Sequence, residues 1–251
     1  MAASQATDLP QAIRASIDAH GGATLWNELT AIDATVSAGG FLFTTKGRPV
    51  LQRVRVRAWT REARFAFFDF PHAGETSEWH GDEEVRVVDR SGAVLARRMQ
   101  PRSAFSDWRR ALRWDHLDFV YFGGYATWNY FCAPFLFLRG GFVFEQRPPL
   151  DTPAGEWSRV RVTFPAGIPT HSRVQDYYFD TQHRLARLDY TAEVVGGWAH
   201  AAHMCTAFQS FAGLVVSTRR IVKPLPFGEA PFPFPTLVAL RFEDVVPQRP
   251  A

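Results

Sequence analysis

The first thirty residues carry a helical pattern of apolar and polar positions. Ile13 and Ile17 are four residues apart and share one face of a predicted first helix, for which Asp8 is a candidate cap. The sequence His-Gly-Gly at residues 20–22 predicts the end of that helix. Residues 23–29 then predict a second short helix.

From about residue 32 the period of the pattern changes to two. The stretch LQRVRVRAW, residues 51–59, alternates apolar side chains with arginines, which is typical of a strand with one face in water. Turn sequences rich in Asp, Ser and Gly separate several such runs. The other runs with this pattern are ARFAFFDF, EEVRVVD, AVLARRM, WSRVRVTF, VQDYYFD, RLARLDYTAEV, LVVSTRRIV and LVALRFEDV.

A helical and aromatic insertion at about residues 103–138 interrupts the strands. Trp108 and Leu112 have helical spacing within the sequence DWRRALRWDHL. About four strands precede the insertion and about six follow it, and no linker or repeat divides the chain. We therefore predict one domain over residues 1–251, mainly antiparallel β with helices packed on one face.

The uncharged stretch at residues 119–138 is long enough to span a bilayer. It contains Gly123, Gly124, Asn129 and Pro134, however, and its bulk comes from aromatic residues. Because strands are predicted on both sides of it, a membrane span would split the domain. We predict a buried or cavity-lining segment, and membrane contact is not expected.

Composition adds one strong signal, which is the aromatic content. The chain is 46% hydrophobic and 14% aromatic, with 22 Phe and 8 Trp, and this indicates either a large aromatic core or an apolar cavity. The net charge is only +3, no basic run exceeds two residues, and no nucleic-acid motif is present. Nucleic-acid binding is therefore not expected.

The N-terminal sequence and the cysteines bear on location. The first twenty residues have no basic region followed by an apolar run, so they do not resemble a signal peptide, and we expect a cytoplasmic protein. Cys132 and Cys205 lie in apolar surroundings without CxxC spacing. Two buried thiols and one disulfide both remain open.

Three stretches resemble a known family. IRASIDAHGGATLWNELTAI is similar to the start of many bacterial lipoprotein-sorting-like proteins, and DYYFDTQHRLARLDYTAEV with FQSFAGLVVSTRRIV resembles the later strands of that group. The resemblance implies a LolA-like fold, in which a curved antiparallel half-barrel is closed by short helices over an apolar cavity. Lipoprotein transport does not carry over, since no signal peptide is recognised.

The stretch GGWAHAAHMC, residues 196–205, contains two histidines and a cysteine, which makes it the strongest candidate in the chain for a metal or catalytic site. If it forms a strand, His203 and Cys205 share one face and His200 lies on the other; if it is helical, the two histidines share a face. Neither geometry brings together the three or four ligands that zinc requires. The glycine pair at residues 196–197 favours a turn that leads into a strand. We predict no metal and no cofactor.

A neighbouring strand supplies a possible partner for His203. In RLARLDYTAEV the odd positions Arg187, Asp189 and Glu193 are polar and are expected to face water, whereas Tyr190 points to the interior. A pair formed by Tyr190 and His203 could act as acid and base in an apolar cavity. It could equally be a hydrogen bond that satisfies two buried polar groups.

Two further polar positions have ordinary structural interpretations. His171 follows Ile-Pro-Thr at a junction between loop and strand, where capping or exposure explains it. Asp115, His116 and Asp118 cluster at one end of a predicted helix, as polar residues often do.

The aromatic insertion gives the leading functional hypothesis, which is the binding of a small hydrophobic or lipid-like ligand in an aromatic-lined cavity. The alternative is a cofactor-independent enzyme in the same cavity, with His203, Tyr190 and His200 as acid–base candidates. A structural or partner-binding module with a filled core is the third possibility, and the oligomeric state is left open. The predicted ligand-binding residues are Trp114, Tyr125, Trp128, Asn129, Tyr130, Phe131 and Tyr190.

Overall fold

The computed structural model describes residues 9–48 and 50–250, and these form one large sheet with helices on its concave side. The sheet has 13 strands in the order β6-β5-β4-β3-β2-β1-β13-β12-β11-β10-β9-β8-β7, and each pairing is antiparallel. The strands are β1 (Ala31–Gly39), β2 (Leu51–Trp59), β3 (Arg64–Phe68), β4 (Thr76–His80), β5 (Glu84–Val88), β6 (Val94–Met99), β7 (Val143–Thr152), β8 (Gly155–Thr163), β9 (Val174–Phe179), β10 (Leu185–Thr191), β11 (His200–Phe211), β12 (Leu214–Pro224) and β13 (Val238–Gln248).

The first and last strands lie side by side in the middle of the sheet, so the two halves of the chain extend outward from a common centre. The helices are α1 (Gln11–Ala19), α2 (Gly22–Glu28), α3 (Phe41–Thr45), α4 (Trp108–Leu112) and α5 (His116–Cys132), with 3-10 segments at Pro101–Ser106 and Phe135–Leu138. The predicted half-barrel of mainly antiparallel β structure is confirmed. Asp8, the candidate cap of α1, lies outside the described residues.

The strand at one edge of the sheet, β7, was not predicted from the alternation. It contains Pro148 and Pro149, which cannot donate backbone hydrogen bonds, and the pairing with β8 shifts register between Arg147 and Leu150. Proline is tolerated at a sheet edge because one side of the strand has no partner. The two prolines therefore interrupt the alternating pattern by which this edge strand would have been predicted.

The uncharged segment forms most of α5, a 17-residue helix that is almost entirely buried against the concave face. A capping box opens the helix: the Asp115 side chain accepts from the Asp118 N–H, and the Asp118 side chain accepts from the Asp115 N–H. Gly124 allows close packing, because a Cβ there would lie 2.6 Å from the Cβ of Trp79. Among the described residues, no helix is long and apolar enough to span a membrane.

The helix predicted before this segment is broken in the structure. Trp108 and Leu112 lie on the short α4, and both side chains are exposed instead of sharing a buried face. Asp107 caps α4 by accepting from the Arg109 N–H.

The His-Gly-Gly sequence joins α1 to the sheet. The Leu185 N–H donates to Nε2 of His20 at 3.1 Å, so Nδ1 carries the proton and donates to the Val215 carbonyl at 2.7 Å. Gly21 has a φ of +119°, and a Cβ there would lie 2.6 Å from the Gly213 carbonyl oxygen. The motif therefore has a structural role, since it ties two separate strands to the first helix.

The prediction that the polar side chains of β10 face water is wrong for two residues. Arg187 is only 4% exposed, because the loop at residues 225–235 covers it and the Glu229 carbonyl accepts from its Nη2 at 2.8 Å. Asp189 is also largely covered and accepts from Arg187 Nε at 2.7 Å. Glu193 is exposed as predicted.

Candidate functional site: a polar cluster inside the half-barrel

Strand β11 separates its two histidines onto opposite faces of the sheet. His203 and Cys205 point into the interior, where His203 is 0% exposed, whereas His200 is exposed and its Nδ1 lies 2.8 Å from the Thr191 hydroxyl. The strand geometry of this stretch is therefore confirmed. Within residues 9–48 and 50–250, no three His, Cys, Asp or Glu side chains form a group that could hold a metal ion.

His171, for which the sequence predicted capping or exposure, is a buried histidine with several partners. It is 2% exposed, and its ring contacts the hydroxyls of Tyr125 at 3.1 Å and Tyr130 at 2.9 Å. It also stacks on Tyr190, with ring centroids 4.0 Å apart and planes 4° apart. The loop before His171 folds back over α5, where Asn129 Nδ2 donates to the Pro169 carbonyl at 2.8 Å. This long-range contact leaves no local signal in the sequence.

Tyr130 links these rings to β11. Its ring meets His203 edge to face at 4.4 Å, and its hydroxyl lies 2.9 Å from His171 Nε2. Tyr190 and His203 lie near each other, with ring centroids 6.2 Å apart. In the described part of the chain, however, neither ring nitrogen of His203 has a hydrogen-bond partner. The expected Tyr190–His203 hydrogen bond is therefore absent there.

Arg220 completes the group and was not predicted. It lies directly across from Cys205 in the β11–β12 ladder, is 3% exposed, and donates from Nη1 to Cys205 Sγ at 3.1 Å. Its Nη2 donates to the Tyr130 carbonyl at 2.9 Å. That carbonyl has no donor from its own helix, because the residue four positions later is Pro134. Arg220 thus caps the last turn of α5.

The sequence did carry a signal for Arg220. Adjacent residues on a strand face opposite sides of the sheet, so the pair Arg219-Arg220 in LVVSTRRIV places one arginine toward the core. We call the assembled group the interior polar cluster, and its members are Tyr125, Tyr130, His171, Tyr190, His203, Cys205 and Arg220.

Burial shifts the pKa values of the titratable side chains in the cluster in the direction that favours their neutral forms. Desolvation lowers the pKa of His171 to about 3 and holds the pKa of His203 well below its usual value. Desolvation also raises the pKa of Tyr130, of Tyr190 and of the Cys205 thiol. At neutral pH the histidines, tyrosines and cysteine are therefore uncharged, which leaves Arg220 as the charged member.

The other predicted ligand-binding residues lie apart from the cluster. Trp128 donates from Nε1 to the Trp59 carbonyl at 2.8 Å, and its ring packs against Trp79. Trp114 packs on Phe122, and Phe131 packs on Phe242. These three side chains contribute to the aromatic core that joins α5 to the sheet.

Asn129 has a bridging position. Its Nδ2 donates to the Tyr125 and Pro169 carbonyls, both at 2.8 Å, while its Oδ1 has no partner among the described residues. Cavities of about 720, 660, 430, 290 and 140 Å³ lie along the described residues. None of them is lined by Asn129 or by the other five residues predicted in the insertion. The concave side of the sheet is packed in this structure, and contact of those six side chains with a ligand stays a prediction.

Two of these cavities, of about 430 and 140 Å³, share part of their lining and open beside the cluster. We call them the mouth cleft. Arg102 crosses the smaller cavity, donating to Glu193 at 2.7 Å and to the Thr170 carbonyl at 3.0 Å. Tyr121 donates to Asp82 in the cleft wall at 2.5 Å. The residues shared by the two cavities are Asp82, Ala166 and Pro169.

The mouth cleft is separated from the cluster by one layer of side chains. The Tyr121 ring lies 5.2 Å from the ring of Tyr125, which belongs to the cluster. Thr170, in the lining of the cleft, directly precedes His171 in the chain. The cleft is therefore one opening from solvent toward the cluster; in addition, Tyr190 lines the cavity of about 290 Å³ and Arg220 lines that of about 720 Å³.

Comparison with solved structures places the fold. The chain is similar to a LolA superfamily protein from Nitrosomonas europaea, with a TM-score of 0.53 at 10% identity over 96% of this chain and 94% of the other. An outer membrane lipoprotein-sorting protein domain from Vibrio parahaemolyticus gives 0.52 at 10% identity, with 89% and 86% covered. A DUF1329 family protein from Desulfovibrio piger gives 0.51 at 11% identity, with 94% and 91% covered.

These likenesses concern the fold, since the identities are near one residue in ten. They confirm the LolA-like architecture expected from the opening helix and the late strands. No family model matches the sequence, and no curated protein matches it.

Proposed function

We propose that this protein binds a small hydrophobic or lipid-like molecule inside the half-barrel, with the polar end of the molecule at the interior polar cluster. One observation carries the proposal. In an interior built mainly from aromatic rings, Arg220 and His203 are buried with donor or acceptor atoms that have no partner among the described residues.

Unpartnered groups of this kind are costly. Burial of a polar group without a hydrogen bond is unfavourable by roughly 1–3 kcal/mol in proteins, so each such group needs an explanation. Both ring nitrogens of His203 and Nε of Arg220 fall in this class. A ligand with one polar end would supply the missing partners, while its apolar part would replace contacts between aromatic side chains.

The mouth cleft provides a route for such a ligand. Since the concave side is packed, binding requires side chains to move apart, and at the cleft one layer of side chains separates solvent from the cluster. Arg102 holds it closed through an ion pair with Glu193, a bond to the Thr170 carbonyl and a longer bond to the Tyr121 hydroxyl. Exposed ion pairs contribute little to stability, so this closure can open at small cost.

The similar structures support the class of ligand. One of them is a lipoprotein-sorting domain by name, and lipoproteins carry long apolar chains. A half-barrel closed by a helix is suited to enclosing such chains, and the aromatic interior of this protein offers a compatible surface.

The enzyme alternative receives less support from the cluster. Efficient acid–base groups have pKa values near the working pH. Burial instead lowers the pKa of His203 and His171 and raises the pKa of Tyr190, so the three values move away from neutrality. His200 lies on the opposite face of the sheet from these groups. The cluster is therefore better suited to holding a ligand than to moving protons.

Two variants on β11 test the proposal with the same chemical change on opposite faces. His203→Phe fills the interior with a ring that makes no hydrogen bonds, and His200→Phe places that ring in solvent. We expect N-phenyl-1-naphthylamine, an apolar fluorescent probe, to bind the wild-type protein saturably and to be displaced by 1-decanol. His203→Phe should weaken probe binding roughly tenfold or more, which corresponds to about 1.4 kcal/mol.

His200→Phe should leave the affinity unchanged. Far-ultraviolet circular dichroism and denaturant midpoints show whether both variants fold. Absence of saturable probe binding to the wild type, or equal weakening in the two variants, would contradict the proposal. Native mass spectrometry of freshly purified protein provides an independent readout, since a bound apolar compound would appear as added mass.

A further inference from the structure

Arg220 is unusual among the buried arginines because no carboxylate accompanies it. Within the described residues, no Asp or Glu oxygen lies within 4 Å of its guanidinium. Arg187, which is equally buried, pairs with Asp189 at 2.7 Å. A buried cation without a counter-ion is among the most costly arrangements in a protein interior.

The groups around Arg220 do not balance its charge. The Cys205 thiol accepts from Nη1, but burial raises the pKa of this thiol, so it is uncharged at neutral pH. The Tyr130 carbonyl and the Tyr130 ring face contribute partial charges only. The Tyr130 carbonyl and the Cys205 thiol therefore account for two of the nitrogens, whereas the net charge and the free Nε remain unexplained.

His203 stands next to this charge with both nitrogens free. It lies diagonal to Arg220 across the ladder of β11 and β12, on the same interior face, so the two side chains are neighbours. A neutral imidazole has one N–H donor. The free Nε of Arg220 and the His203 N–H thus offer two donors to a single acceptor group.

We infer that the ligand carries a carboxylate at its polar end, and that Arg220 with His203 binds this carboxylate in the interior polar cluster. The inference rests on the proposed function and names the chemical class of its ligand: an apolar chain or ring system ending in a monoanion. One guanidinium beside a neutral imidazole supplies one positive charge, which balances a carboxylate and leaves a phosphate monoester dianion in excess.

The test compares molecules that differ only at the polar end. Decanoate, 1-decanol and decyl phosphate are titrated at neutral pH by displacement of N-phenyl-1-naphthylamine. For the wild-type protein we expect decanoate to bind roughly tenfold or more tightly than 1-decanol, as expected for a charge-assisted hydrogen bond in the interior. Decyl phosphate should bind less tightly than decanoate.

Arg220→Met and Arg219→Met form a matched pair. They remove the same charge from adjacent residues, and Arg219 is exposed on the opposite face of the strand. In Arg220→Met the preference for decanoate over 1-decanol should disappear while 1-decanol still binds. In Arg219→Met the preference should persist.

The outcomes separate the two proposals. Equal affinity of the wild type for decanoate and 1-decanol, or an unchanged preference in Arg220→Met, overturns the carboxylate inference and leaves ligand binding intact. Tighter binding of decyl phosphate than of decanoate also overturns it. Failure of every probe to bind removes both proposals. If Arg220→Met does not fold, the wild-type comparison decides by itself.

Discussion

Helix α5 meets arginines at both of its ends, and the two ends are built in opposite ways. At the N-terminal end, Asp118 is 1% exposed and lies between Arg98 at 2.6 Å and Arg110 at 3.3 Å. Asp115 contacts the same two arginines. Carboxylates at a helix N-terminus also interact favourably with its dipole, so every charge there has a partner.

At the C-terminal end, Arg220 caps the helix but has no carboxylate partner in the described part of the chain. The nearby His203 nitrogens are also without partners. The contrast indicates that the N-terminal end is a structural anchor. The C-terminal end instead has hydrogen-bonding atoms and a positive charge without partners among the described residues, and these are available to a ligand. Mutations at the two ends should therefore have different consequences.

The largest effect is expected at the anchored end. Asp118→Asn removes the buried negative charge that lies between Arg98 and Arg110, so two partly buried cations lose their most buried partner while keeping Asp115. We expect the free energy of unfolding to fall by about 3 kcal/mol, as for other broken buried ion pairs. Denaturant unfolding of wild type and variant measures this. A loss below about 1 kcal/mol would show that the end is not an anchor.

Acid should destabilise the folded state in part through His171, one of the two histidines of the interior polar cluster. The pKa of His171 is about 3 in the folded state and about 6.5 when unfolded, so the folded protein binds fewer protons between these values. The stabilising contribution is therefore present above about pH 6.5 and is lost as the pH falls toward 3. At a pH of about 4 the loss should be about 3 kcal/mol.

His171→Gln isolates this effect, because glutamine does not titrate yet can still bond to the tyrosine hydroxyls. The stability of this variant should depend less on pH than that of the wild type. His200→Gln is the matched control on the outer face and should keep the wild-type dependence. An unchanged pH dependence in His171→Gln would contradict the burial of a neutral imidazole at this site.

At the C-terminal end the expected change in stability is small. Arg220→Met exchanges an unbalanced buried cation for an apolar side chain of similar length. We expect the free energy of unfolding to change by less than about 1 kcal/mol, since removal of the charge offsets the lost cap at Tyr130. A loss as large as that of Asp118→Asn would mean that Arg220 acts mainly as a structural cap, and the contrast between the ends would disappear.

The smallest effect concerns the mouth cleft. Glu193→Gln removes the exposed ion pair with Arg102, and the free energy of unfolding should change by less than about 0.5 kcal/mol. Association of N-phenyl-1-naphthylamine, followed by stopped-flow fluorescence, should become faster because the closure is weaker. Glu145→Gln breaks a comparable exposed pair with Arg147 and should leave the association rate unchanged. Equal rates in both variants would show that the ligand enters elsewhere.

The sheet and its interior face were accessible from the sequence because they depend on local alternation. Strand β11 places His203 and Cys205 inward, as the period of two requires. The burial of Arg187 was not accessible, since a loop forty residues away in the chain covers it. Local patterns describe which face a residue lies on, but not which distant segment covers that face.

The candidate site was predicted in part for the same reason. Tyr130 and Tyr190 meet His203 directly, whereas Tyr125 reaches the cluster through His171, which joins it only through the fold of the loop before it. The unbroken apolar stretch of α5 gave no indication of which aromatic residues lie near the cluster, because all sides of the helix are buried.

The most direct test of ligand binding at the interior polar cluster is nuclear magnetic resonance of the imidazole nitrogens. Protein labelled with ¹⁵N-histidine is titrated with 1-decanol, and the signals are assigned with His203→Gln, His171→Gln and His116→Gln. We expect the signals of His203 and His171 to shift in proportion to occupancy, while that of His116, at the anchored end of α5, stays unchanged. Saturable binding that leaves His203 and His171 unshifted would contradict the location of the site and the account built on it.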